Sequence, residues 1–110
     1  MNLNDYQFEA AKTAIHPTDG YIGILYASIA LCGEVGEVAN KVKKIVRDFN
    51  GTVTPEMKSA LKLELGDTLW YIADMATLLG TSLEEIALLN LQKLKTRKQT
   101  NKLKGEGDAR

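Results

Sequence analysis

Apolar residues recur along this chain at three- and four-residue intervals and almost never alternate singly with polar ones, which predicts helices rather than sheet. Asn4 stands where an N-cap belongs, ahead of a first helix over Asp5 to Ile15, with the Asp5 carboxylate near the positive end of the helix dipole. The segment His16-Pro17-Thr18-Asp19-Gly20 stops it. A long second helix follows from Tyr21 to Phe49, apolar nearly all round through Leu31. It then turns basic at Lys41, Lys43, Lys44 and Arg47, near its negative end. Asn50-Gly51 breaks that helix; such a pair also suits a hairpin turn, but the apolar runs beside it are too short for strands. Thr54 as N-cap and Pro55 at the first helical position open a third helix that runs to Leu79, before Gly80. Ser82 and Glu85, in capping-box spacing, begin a fourth helix that ends at Arg97. The expected subunit is all-α, a four-helix domain over residues 1–97 followed by a polar, basic tail over 98–110.

Two pairs of acids disturb the amphipathic pattern. Glu34 with Glu37, and Glu64 with Asp67, are each spaced i, i+3, and at about 100° per residue such neighbours share one helix face. On the third helix Glu64 falls among Met57, Leu61, Tyr71, Ile72 and Met75, inside the apolar stripe; on the second, Glu34 falls beside Leu31, Val38 and Ile45. An ionised carboxylate withdrawn from water without a partner is costly, and four drawn together also repel one another. Lys41 lies close to Glu34 on the wheel, but a single ammonium does not neutralise four acids. A divalent cation is therefore expected. Oxygen-only ligands, with no His or Cys pair nearby, select a hard ion: Mg²⁺, with Mn²⁺ as a substitute. Protein-bound Mg²⁺ keeps positions for water and substrate phosphates, which points to phosphate-ester or anhydride chemistry. A carboxylate-bridged di-iron bundle would need Glu-x-x-His pairs, and the lone His16, in front of Pro17, does not supply them.

Composition narrows the classes further. The 110 residues, 45% hydrophobic and 25% charged, fit one domain. Fourteen basic against fourteen acidic residues leave no net field to recruit nucleic acid or an anionic membrane. No uninterrupted apolar run reaches the ~18 residues of a membrane span, and the start MNLNDYQFEA lacks the layout of a signal peptide, so a cytoplasmic location is expected. The single Cys32 and single His16 exclude a disulfide framework and a zinc site. A chain of this length buries only about two-thirds of its unfolded surface, so a second subunit is expected to help.

Glu34-Val35-Gly36-Glu37, twenty-six intervening residues, and Glu64-Leu65-Gly66-Asp67 together resemble the E-x-x-E, E-x-x-D signature of the MazG-like, all-α nucleoside triphosphate pyrophosphohydrolases. The stretches LYASIALCGEVGEVANKVKKI, LELGDTLWYIADMATLLGTSLEEIALLN and KLKGEGDAR are similar to compact phage and bacterial members, so the resemblance covers nearly the whole chain. It implies hydrolysis of the α–β bond of an NTP or dNTP to monophosphate and pyrophosphate, dependence on Mg²⁺, and a bundle completed by oligomerisation as a homodimer or a homotetramer of two dimers. Carried over by position, it makes Glu34, Glu37, Glu64 and Asp67 the metal ligands and catalytic residues. The cation would neutralise charge developing on phosphorus and help to deprotonate the attacking water. Asn90, Lys93 and Arg97 resemble the basic motif on the family's last helix; Lys93 and Arg97, at i, i+4, share a face that can grip phosphate oxygens. Many members double the acids, whereas this chain has Gly33 and Leu63 at the extra positions. Its ending, Gly105-Glu106-Gly107-Asp108-Ala109-Arg110, resembles that of compact members, which makes Asp108 and Arg110 candidate tail contacts over the substrate.

For the base, Tyr6 and Gln7 on the first helix are the candidates, Gln7 because its amide both donates and accepts. Trp70 is expected in a subunit contact, His16 as a structural loop residue, and Cys32 and the methionines as packing. Two other functions compete. One is phosphoribosyl-ATP pyrophosphatase, which shares the helical scaffold. The other is a non-catalytic helical assembly or nucleic-acid-binding module using the six basic residues from Lys93 to Lys104.

Overall fold

A computed structural model describes residues 1–108, so Arg110 lies outside the described residues. Its elements are α1 (Leu3–Ala11), α2 (Gly20–Phe49), α3 (Pro55–Leu78) and α4 (Leu83–Gln99), with no strand among the described residues. Thr54 caps α3 as expected, its hydroxyl accepting from Met57 N at 3.2 Å, and Ser82 caps α4, accepting from Glu85 N at 3.1 Å. The first helix differs from expectation. Asn2, not Asn4, caps it: the Asn2 side chain accepts from Asp5 N at 2.8 Å while the Asp5 carboxylate accepts from Asn2 N at 3.3 Å, a reciprocal pairing that satisfies two backbone donors. Asn4 is thereby free to tie α1 to α4, its side chain bonding Glu84 through both amide atoms. The helix also ends at Ala11 rather than Ile15, where the Thr13 hydroxyl donates to Ala10 O at 2.7 Å and turns the chain toward Pro17.

Between α2 and α3, Asn50 and Gly51 both adopt positive φ, which ends one helix and sends the next back along it. Gly23 lies beside Leu78, Tyr26 beside Tyr71, Glu34 beside Asp67 and Lys41 beside Glu64. Numbers rising on one helix meet numbers falling on the other, so the pair is antiparallel. Helix α1 packs on α3 and α4, and α4 on the end of α3. Close approach at the Gly23 end leaves no room for a side chain: a Cβ there would sit 2.9 Å from Leu78 Cδ2 and 3.0 Å from the Thr18 carbonyl carbon. Gly23→Val is expected to destabilise the subunit by about 1–3 kcal/mol through overpacking, visible as a lower urea midpoint; an unchanged midpoint would refute the tight crossing.

The core is slight. Among the described residues, Ala10, Ala27, Ile45, Ala73, Ala76 and Leu83 are the buried apolar ones, and no large side chain is fully enclosed. Apolar residues instead stand open along α2, including Ile22 at 59% and Ile29 at 66% exposure. That helix is long and apolar enough to cross a membrane, with a mean hydropathy of 1.5 over an 18-residue window, although no uninterrupted apolar run of that length occurs. Here it lies along α3.

Candidate metal centre

Helices α2 and α3 bring three of the four sequence-predicted acids together. Glu34, Glu64 and Asp67 each offer a carboxylate oxygen, all within 4.8 Å of one another; Glu34 and Glu64 are partly buried and Asp67 is exposed. Glu37 stands outside that group, one turn along α2 and exposed, yet its charge still reaches Glu34. Partial burial raises the Glu34 pKa above its ordinary value, and the charges of Asp67, Glu64 and Glu37 push it in the same direction. Lys41 pairs with Glu64, at 3.5 Å, and not with Glu34 as the wheel predicted, because the antiparallel crossing puts Lys41 against the facing helix. The cluster retains more negative charge than that one ammonium offsets. Three hard oxygen donors converging from two helices fit a divalent cation such as Mg²⁺ or Mn²⁺.

Glu34 and Asp67 also line a cavity of about 420 Å³, together with Thr13, His16, Trp70 and Tyr71. Its aromatic wall carries more of the site than the sequence suggested. His16 is not a bystander in its loop: its ring stacks on Tyr26 with centroids 4.7 Å apart and meets Trp70 edge-on at 5.6 Å. Trp70 Nε1 donates to Thr13 Oγ1 at 2.8 Å, which turns the indole into the cavity wall within one subunit. Asp74, which the sequence reading did not single out, sits behind His16. Asp67, Tyr71 and Asp74 fall at i, i+4 and i+7 on α3, a same-face spacing that could have drawn attention to it.

The two base candidates part company. Gln7 is taken up by the α3–α4 joint, its amide nitrogen donating to Thr77 Oγ1 and Thr81 O and its oxygen accepting from Leu83 N at 2.8 Å. Both of its donors are thereby committed within the fold, and its oxygen already accepts one hydrogen bond. Tyr6 packs on the core formed by Ala73, Ala76 and Leu83, and burial followed by the charge of Asp67 raises its pKa. The basic residues of α4 lie apart from the aromatic cavity. Lys93 Nζ and Arg97 Nη2 hold the Asp108 carboxylate at 2.9 and 3.1 Å, Arg97 also donates to Gly107 O, and the Arg97 side chain is buried under this clip. Those two hydrogen bonds hold Asp108 below the usual carboxylate range. Asn90 lies one turn before Lys93, exposed on α4.

The family model for the MazG nucleotide pyrophosphohydrolase domain matches residues 27–101, a span that contains both acid pairs and the basic residues of α4. The chain belongs to this family. Gene 37 protein of Mycobacterium phage L5 is 43% identical to it over 114 aligned positions covering 100% of both chains. No solved structure matches. For this MazG-family chain, the all-α architecture and a nucleotide pyrophosphohydrolase domain thus follow from comparison, while the carboxylate geometry follows from the fold. Helix α1 and His16 precede the matched span, so the rear of the aromatic cavity is built partly from outside it.

Proposed function

We propose that this protein hydrolyses the α–β bond of (d)NTPs to the (d)NMP and pyrophosphate, using Mg²⁺ held by Glu34, Glu64 and Asp67, with Glu37 supporting from the next turn. The observation that carries this reading is the convergence of those carboxylates at the wall of an aromatic cavity: one end suits a cation on phosphate oxygens, the other a nucleobase. When bound, the cation supplies charge neutralisation at the phosphoryl oxygens and lowers the pKa of a bound water. The chain's own part is positional. Paired helices fix the carboxylates before substrate arrives, so little reorganisation is needed as charge develops. A water oxygen bonds to the α-phosphorus, the bond from that phosphorus to the bridging oxygen breaks, and pyrophosphate departs with the electron pair while the water's proton passes to solvent. Lys93 and Arg97 already hold one anion, Asp108, with Asn90 beside them, and in this reading they take phosphate oxygens in the assembled protein.

The assembly is a homodimer, alone or paired into a homotetramer, in the cytoplasm. Its support is surface arithmetic. The subunit exposes 8106 Å², about 2,000 Å² more than a compact chain of this mass. Its radius of gyration is 16.8 Å, against about 13 Å for a compact domain of this length. The excess exceeds the ~800 Å² that each partner buries in a standard interface. The open stripe through Ile22, Leu25 and Ile29 toward Gly33 and Gly36, where a Cβ would meet nothing within 4 Å, suits close approach of a partner helix.

Incubation with a dNTP and Mg²⁺ is expected to release pyrophosphate and the monophosphate in equal amounts, read by ion-exchange chromatography. Release of single phosphate would contradict the proposed bond.

A further inference from the structure

One buried ionisable pair has no part in the chemistry above. His16 and Asp74 have side chains only 6% and 7% exposed, with Nε2 and Oδ2 3.1 Å apart. These two buried atoms are at ion-pair distance, and neither has another polar partner. On the other side of the ring, His16 Nδ1 lies 2.8 Å from Pro17 O. A carbonyl only accepts, so Nδ1 carries its hydrogen there and the ring has no nitrogen left for a ligand. The polar groups of Trp70 and Thr13 are engaged in the same way: Trp70 donates to Thr13, and Thr13 donates to Ala10 O.

We propose that Asp74 is a positioning residue for nucleotide binding: acting through His16, it fixes the aromatic wall of the cavity, and that wall holds a base by its ring faces without side-chain hydrogen bonds to its edge. The inference rests on the nucleotide reading above and names the recognition mode of the same cavity. A site that hydrogen-bonds a substrate edge rejects analogues steeply, whereas stacking is tolerant because every base has a π-face. Base preference is therefore shallow, and loss of Asp74 weakens all bases alike.

Trp70 is the chain's single tryptophan and lines the cavity, so its fluorescence reports binding without turnover. Titration of the full chain with AMP, GMP, CMP and UMP should quench it with dissociation constants within about tenfold of one another. Asp74→Ala should weaken every base by about tenfold, while Asp74→Asn, with the same shape and a donor for Nε2, stays within about threefold. In turnover, Asp74→Ala should raise KM and leave kcat within about twofold. His16→Phe keeps a ring but removes the polar contact with Asp74; it should behave like Asp74→Ala, and it decides the matter if that variant fails to fold. Parent-like titration by these variants, a lowered kcat at unchanged KM, or a parent preference above about a hundredfold for one base would overturn the inference. So would the absence of quenching by every monophosphate, even where hydrolysis is seen. Quenching as expected, with no pyrophosphate released from any triphosphate, would instead sink the hydrolase reading and leave this one standing.

Discussion

Asp67→Asn is expected to cut pyrophosphate release by on the order of a hundred- to a thousandfold, with the helical signal and assembly size unchanged. Asp67 is the exposed member of the cluster and also lines the aromatic cavity, which is where the proposed reaction would bring substrate and cation together. Replacing oxygen by amide removes a charge without removing volume. The packing of α3 on α2 therefore survives, and relief of repulsion with Glu34 and Glu64 leaves the metal-free fold no less stable. Glu34→Gln should act in the same direction, because burial and the charges of Asp67, Glu64 and Glu37 all bear on the Glu34 carboxylate. Activity near that of the parent in either variant would remove the carboxylate cluster from the reaction. A collapse of the fold would make the acids structural instead.

The second large effect is thermal. At a hundredfold excess over its dissociation constant, Mg²⁺ contributes about 2.7 kcal/mol to the folded state, and each 1 kcal/mol moves a domain of this size by about 4–8 °C, so a gain of about 11–22 °C is expected at pH 7. The gain should depend on pH with a definite sign. Glu34 has a pKa raised above its ordinary 4.5, chiefly by burial. Without metal, the stability this group contributes is fully present below 4.5 and lost as pH rises through the raised value, because the folded state binds the proton more tightly. With metal the dependence reverses. The cation needs the ionised carboxylate, so the Mg²⁺-induced gain appears as pH rises through that same raised value and fades below it. Melting curves with Mg²⁺ and with EDTA between about pH 4 and 8 separate the two. A gain that is flat across this range, or absent from the parent at pH 7, would refute a cation on Glu34; persistence of the full gain in Asp67→Asn would place it elsewhere.

Helix number, order and approximate limits were legible in the chain because they depend on local chemistry: Thr54-Pro55 and Ser82 open helices by satisfying or omitting end donors, and Asn50-Gly51 closes one by taking positive φ. The acids were legible for the same reason. Glu34, Glu64 and Asp67 sit on apolar faces by 3.6-residue periodicity alone, and burying such faces forces the acids to meet. Asn4 was misread because a cap and an interhelical tie use the same side chain, and local sequence does not distinguish them. The structural ties of Gln7 were not legible because its donors and acceptor go to residues seventy or more positions away.

By itself, then, the sequence determined an all-α chain with a divalent-metal type of acid cluster on α2 and α3, since periodicity and capping are short-range. Tertiary structure decided which cation meets which acid, that Lys93 and Arg97 close on Asp108, and that His16 from a loop meets Asp74 from α3 to wall a cavity. Those outcomes depend on the antiparallel crossing of helices and on loop closure, which set distances between residues far apart in the chain and leave no periodic trace along it.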